Sequence, residues 1–246
     1  MSNLTSATAS RHHDAIVDTT SAEAFAQAYP VQPIPATGSI DTAPISLSPA
    51  ADTDLDEIWL AVEPETRARR NDIHLPISLA FAERLCDAHP EADRLLVRVA
   101  TLLHDTGWAR VDESRIISEG FGPDWRRSGI RFEHERQGCL VAGEVLPPLG
   151  YDQPFIDAVC AIIEGHDTRL VAYSIEDALM RDADRLWRFT HTGVAVSSTW
   201  FSMTPAQYTD RLEADVLPEL LTVAGVEMAR AELERSRALL KTAVLR

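Results

Sequence analysis

The 246-residue sequence is short of basic charge. It carries 23 Lys and Arg against 38 Asp and Glu, a formal net charge of −15 and a pI near 4.9. Binding along a phosphate backbone needs a basic stripe, so no nucleic-acid polymer is expected as partner. The same balance argues against an anionic membrane surface. It leaves room for a small anionic substrate, because a bound metal reverses the local sign of the field. Long apolar runs are missing too. No stretch approaches about 18 uncharged apolar residues, so no transmembrane helix is expected. The start, MSNLTSATASRHHD, has no basic segment followed by an apolar run, so no secretory signal is read and a cytoplasmic location is the expectation. The three cysteines, Cys86, Cys139 and Cys160, form no CxxC pair and fit reduced core thiols. There is no GxxxxGK[ST] loop, no GxSxG elbow, no HExxH and no GxGxxG after a strand, so nucleotide use through those scaffolds is not expected.

Period-2 runs are almost absent, which points to an all-α class. Residues 1–52 differ from the rest. They hold Pro30, Pro33, Pro35, Pro44 and Pro49, many small polar residues and a single Arg, and read as an irregular arm with one short helix near 22–28. Residues 53–203 read as a helical domain, and 204–246 as C-terminal helices packed on it. Asp72 is placed to cap a helix to about Ala88, with Pro76 in its first turns. Glu91–Asp105 is the clearest helix, with Leu95, Leu96, Val99, Leu102 and Leu103 at helical spacing and Gly107 as its stop. Residues 108–132 read as a long loop with short helical pieces. Further helices are expected over Glu133–Leu146, after the Asp152 cap, and from Ser174 to Phe189. Another opens at Thr204-Pro205 and bends near Pro218, and the last covers 225–244. The stripe of Leu212, Val216, Leu217, Leu220, Leu221, Met228, Leu233, Leu239 and Leu240 is mostly core, with part available for a homodimer seam.

Four histidines and two aspartates stand out. His104 and Asp105 are adjacent at the end of the strongest helix. His134, His166, Asp184 and His74 each share a helical face with apolar or small residues. Buried ionisable groups are costly unless paired or coordinated, so one or two per successive helix point to a metal. Imidazole with carboxylate suits Mn, Fe, Co, Ni or Zn. His12, His13 and Asp14, in the arm, read as surface residues, and His89 as a helix-end residue.

These motifs resemble the HD superfamily of metal-dependent phosphohydrolases. The carriers are His74 in RRNDIHLP, His104-Asp105 in ATLLHDTGW, His134 in RFEHERQG, His166 in IIEGHDTR and Asp184 in MRDADRLW, over roughly half the chain. The resemblance implies an HD-domain helical bundle. It implies that His74, His104, Asp105 and Asp184 hold one metal, and that Asp105 bridges to a second held by His134 and His166. Two divalent ions against two aspartates leave a local charge of about +2, able to hold a phosphate and to activate a water. Asp184 is preferred to Asp182 because it precedes an Arg-Leu pair; Asp182 is read as a solvated or supporting acid.

Arg169, Arg181 and Arg185 are candidate oxyanion clamps, the first two being placed with Asp105 in the catalytic set. Glu133, Glu135 and Glu164 are candidates to orient a ligand or move a proton, although solvated helix residues are the simpler reading. His191, Tyr173, Trp108, Trp125 and Arg126 are candidate pocket lining. The leading expectation is hydrolysis of a small phosphorylated molecule, for example a nucleotide. The alternative is a mixed-valent di-iron oxygenase of a small organophosphonate or polyol, which resembles this chain in its HE-x-x-G and IEGH segments. Leu170 stands close to where that branch carries a substrate-gripping basic residue. Zinc-dependent hydration of a small nitrile such as cyanamide, and a non-enzymatic helical module with a closed structural metal, are the remaining readings.

Overall fold

The computed structural model describes residues 32–45, 53–120 and 127–242. The short helix read near 22–28, together with His12, His13, Asp14, Trp125 and Arg126, lies outside them. The described residues are helical without a strand; an isolated bridge pairs Ile34 with Thr222. In chain order the α-helices are α1 (Thr53–Val62), α2 (Asn71–Ala88), α3 (Arg94–Leu103), α4 (Glu113–Gly120), α5 (Gly129–Val145), α6 (Gln153–Ile163), α7 (Ile175–Leu186), α8 (His191–Trp200), α9 (Pro205–Arg211) and α10 (Val223–Leu240). No described helix is long and apolar enough to cross a membrane.

Local chemistry explains most boundaries. Asp93 accepts from Leu96 N (3.1 Å), so α3 starts there rather than at Glu91. Asp152 accepts from Phe155 N (3.0 Å) with Pro154 just inside α6. Ser174 caps α7 through Asp177 N, but Asp177 turns its carboxylate to Tyr173 N (2.8 Å) and Arg169, so only half a capping box forms. Thr204 and Gln207 form the full box at α9. Asp72 does not cap α2. It pairs with Arg70 (3.1 and 3.2 Å), and Arg70 occupies the cap position in the left-handed region. The expected bend near Pro218 is a π turn (Leu212–Val216) followed by a 3-10 turn (Leu217–Glu219). The segment read as loop contains α4 and the first turn of α5.

Two apolar cores meet at α3 and α7. One joins α2, the 3-10 turn Trp187–Phe189 and α8–α10 around Phe81, Leu85, Leu179, Trp187 and Met228. The other joins α1, α5 and α6 around Ile58, Leu103, Val141, Val159 and Met180. Val97 on α3 enters the first core while Val99 enters the second, so α3 is enclosed on two sides. Leu95, expected inside, is exposed. Each large side chain so buried contributes roughly 1.5–3 kcal/mol. The C-terminal stripe is largely core: Leu212, Leu220, Leu221, Met228 and Leu233 are buried, whereas Leu239 is exposed.

Part of the arm is used as a strap. Ile34 N donates to Leu221 O (2.8 Å) and Ile34 O accepts from Val223 N (2.9 Å). Thr37 N and Gly38 N donate to Ala88 O at the end of α2 (3.0 and 2.8 Å). Asp182 anchors the neighbouring chain. Fully buried, it accepts from Leu221 N (2.8 Å), Thr222 N (2.9 Å) and Thr222 Oγ1 (2.7 Å). The reading of Asp182 as a solvated acid is thereby corrected. Asp182→Ala would orphan two backbone donors and a hydroxyl, and is expected to destabilise the protein by roughly 2–4 kcal/mol in urea unfolding; a loss under about 0.5 kcal/mol would contradict the anchor.

Candidate metal centre

The HD pair sits where α3 ends, and that ending sets its geometry. His104 is still helical (φ −54°, ψ −40°), whereas Asp105 has left the helix (φ −103°, ψ 2°). Asp105 O accepts from Asn71 Nδ2 (2.8 Å), which ties the exit to the first turn of α2, three residues before His74. Gly107 is not an αL stop. It lies in a 3-10 turn (Thr106–Arg110), and a Cβ there would fall 1.9 Å from His134 O and 2.5 Å from Gly138 N. A bare backbone at 107 lets the turn touch α5, which brings His134 beside Asp105. His166 follows α6 immediately after Gly165, whose φ of 91° suits only glycine comfortably. Asp184 comes from the buried face of α7.

The six predicted residues converge, and all are buried. Asp184 Oδ1 lies 3.0 Å from His74 Nε2 and 3.4 Å from His104 Nε2. The Asp105 oxygens divide between two groups. Oδ2 faces His74 Nδ1 (3.3 Å), and Oδ1 faces His134 Nε2 (3.6 Å) and His166 Nε2 (3.5 Å). Asp167 Oδ2 completes the second group, 3.6 Å from His134 Nε2 and 3.8 Å from His166 Nε2. His74, His104 and Asp105 could hold one metal ion, and Asp105, His134, His166 and Asp167 another. The nitrogens suit that use. His104 Nδ1 and His166 Nδ1 each lie 2.8 Å from a carbonyl, of Thr101 and Ile163, which leaves Nε2 bare. All four Nε2 atoms are buried and meet only the carboxylates of the cluster, without a well-aligned hydrogen bond, as suits donor atoms grouped around a cation.

The surroundings hold this geometry. Trp108 Nε1 donates to Asp105 Oδ1 (2.9 Å), and its ring stacks on His134 with centroids 3.9 Å apart. Trp187 stacks on His74 (4.7 Å). Glu135 accepts from Asp167 N and Thr168 N, both at 3.0 Å, and so clamps the turn that carries His166. Burial opposes ionisation of Asp105, yet Arg69 and the nearby imidazoles hold its pKa well below the usual carboxylate range. Burial of Asp184 is likewise outweighed by Arg188 and by His104 and His74. Burial alone would lower the His166 imidazole, but Asp167, Asp105 and Glu135 raise it to about 9. Burial dominates at His134 and takes it down to about 4.

The expected oxyanion clamps do not reach this centre. Arg169 donates to Asp177 Oδ2 (2.5 Å) and to Glu164 O (2.5 Å), stapling the 164–173 loop onto α7. Arg181 Nη2 donates to Arg169 O (2.8 Å), and Arg185 bonds Arg181 O (3.0 Å) and faces Glu219 (3.5 Å). Arg169 and Arg181 thus hold the loop before α7, and Arg185 links α7 to Glu219. Glu164 and His191 are exposed, Tyr173 is exposed under Arg169, and Glu133 pairs with Arg115 (3.5 Å). His89 ends α2, beside Glu91 (3.1 Å).

Sequence reasoning missed four residues here. Asp167 repeats the His-Asp pair of 104–105 and was findable on that ground. Arg131, bound to Asp167, lies three residues before His134, and Arg188 lies four after Asp184 (3.7 Å), both at helical spacing. Arg69, 3.2 Å from Asp105 Oδ2, had no such signal. Arg69 and Arg70 both have left-handed backbone (φ 51° and 61°). Each such position costs on the order of 1–3 kcal/mol and depends on its surroundings.

The HD-domain family model matches residues 72–188, the segment that contributes all six ligand candidates. This segment is an HD domain. No curated protein and no solved structure matches it. HD domains are generally metal-dependent hydrolases that bind divalent metals, which accords with the buried His/Asp groups of this one.

Two outcomes follow for this HD domain. In the metal-free protein the raised His166 pKa stabilises the fold below the ordinary imidazole value, and that contribution is lost as pH rises through about 9. Metal uptake must displace this proton. The apparent affinity for an ion held by His166 should therefore rise up to about tenfold per pH unit below that value, with proton release seen by calorimetry in buffers of different ionisation enthalpy. Gly107→Ala should push α5 from the HD turn, cost roughly 1–3 kcal/mol and halve metal content in elemental analysis; full content would contradict the close-contact role.

Proposed function

We propose that this HD-domain protein is a metal-dependent phosphohydrolase acting on a small phosphorylated molecule, such as a nucleotide, through a metal-activated water. The observation that carries the reading is the division of the Asp105 oxygens between two histidine groups. In this reading His74, His104, Asp184 and Asp105 hold one divalent ion, and Asp105, His134 and His166 hold a second. When bound, such ions lower the pKa of a water and polarise a phosphoryl oxygen. The protein side supplies orientation and exclusion of bulk water. Thr101 O and Ile163 O set the His104 and His166 tautomers, and Trp108 and Asn71 hold Asp105 by side chain and backbone. Glu135, through the 165–168 turn, keeps His166 and Asp167 in register with His134. An acidic exterior around a buried cationic centre fits a small anion better than a long polyanion.

A di-iron oxygenase draws on the same six ligands and is the second reading. Arg169, the basic side chain nearest to where that chemistry grips its substrate, is bound to Asp177 and to carbonyls, which favours the hydrolase.

Anaerobic purification, metal analysis and low-temperature EPR after mild oxidation separate the two. Phosphate release from a panel of phosphate esters, dependent on manganese, cobalt or magnesium, is expected. Two irons with a mixed-valent signal and no phosphate release would overturn the hydrolase. Asp105→Ala should remove metal and activity together. His134→Ala or His166→Ala should lose mainly one ion, and unchanged stoichiometry in both would refute a dinuclear site.

A further inference from the structure

Each carboxylate of the centre has a guanidinium beside it: Arg69 at Asp105 Oδ2 (3.2 Å), Arg131 at Asp167 Oδ2, and Arg188 at Asp184 Oδ2 (3.7 Å). Acid and base therefore balance before any cation enters, and divalent ions would leave the buried site with surplus positive charge. The three arginines are held differently. Arg131 divides its donors between Gly120 O (2.9 Å) and Asp167 and is only 4% exposed, as a fixed support would be. Arg188 is the most open, at 20% exposure, and meets Asp184 loosely. Arg69 stands over the faces of Trp108 (4.7 Å) and Trp200 (5.3 Å), aimed by the left-handed turn before α2. Arg69 and Arg188 stand beside Asp105 and Asp184, whose carboxylates both meet the His74 ring (3.3 and 3.0 Å), so the two guanidinium groups belong to the same half of the centre. Asp105 and Asp184 balance these two charges as the centre stands; with both carboxylates committed to a cation, the two guanidinium groups would need another counter-charge.

We infer that Arg69 and Arg188 are the substrate clamp of this centre, gripping the oxygens of a terminal, dianionic phosphoryl group. The inference rests on the reading of the site as one that binds a phosphorylated molecule. Once Asp105 and Asp184 are committed to metal, the guanidinium groups beside them turn their donors to the substrate oxyanion. Planar forks suit phosphoryl oxygens, which accept two parallel hydrogen bonds. Arg188 and Trp200 both come from the segment that follows Asp184, beyond the ligand set.

The test is calorimetric binding of inorganic phosphate to the metal-loaded full chain, with metal content measured on the same samples. Arg188→Met and Arg69→Gln should each weaken phosphate by about tenfold or more and keep the wild-type metal content. Unchanged phosphate affinity in both variants overturns the clamp. So does a loss that tracks lost metal, since the arginines would then only position Asp105 and Asp184. Wild-type protein that binds no phosphate also overturns it. Protein that binds phosphate through both arginines, yet releases none from any ester, keeps the clamp and removes the hydrolase reading.

Discussion

Seven ionisable side chains, those of His74, His104, Asp105, His134, His166, Asp167 and Asp184, are buried against one another where α2, α3, α5, α6 and α7 meet. Removing that many polar groups from water is tolerable only if each meets a complementary charge or a metal. The position of Asp105 satisfies this demand. Because the chain leaves the helix at this residue, one carboxylate reaches His74 on one side and His134 and His166 on the other. The bare glycine at 107, the Asn71 bond to the Asp105 backbone and the Trp108 indole all act to keep that exit in place.

The fold is arranged to make such burial affordable. Two apolar cores pack on different faces of α3 and α7, and aromatic rings of both the HD turn and the α7 end lie flat on imidazoles. The C-terminal helices are tied to the same framework. Asp182 faces away from the centre and fixes residues 221–222, while Asp184, two residues on, faces inward. One helix thus binds the tail of the chain with one face and completes the polar cluster with another.

Much of this was legible because helical spacing and caps are local. The all-α class, the caps at Asp152 and Thr204, and the convergence of His74, His104, Asp105, His134, His166 and Asp184 follow from residue types and intervals. The arginine assignments failed for a physical reason. A long guanidinium can reach either side of its helix, and Arg169 and Arg181 were drawn to Asp177 and to loop carbonyls that sequence spacing does not show. Leu95 lies in the first turn of α3 and stays exposed, whereas the later turns are buried between the two cores.

By itself, the sequence determined which residues could form a buried His/Asp centre, and that helices would carry them, since periodicity and ligand chemistry are written along the chain. Tertiary structure decided which oxygen of Asp105 faces which histidine, that Asp167 joins the second group, and that Arg69, Arg131 and Arg188 surround it. Those outcomes depend on contacts between residues distant in sequence, on a left-handed turn at Arg69 and Arg70, and on a backbone approach that only the packed helices create.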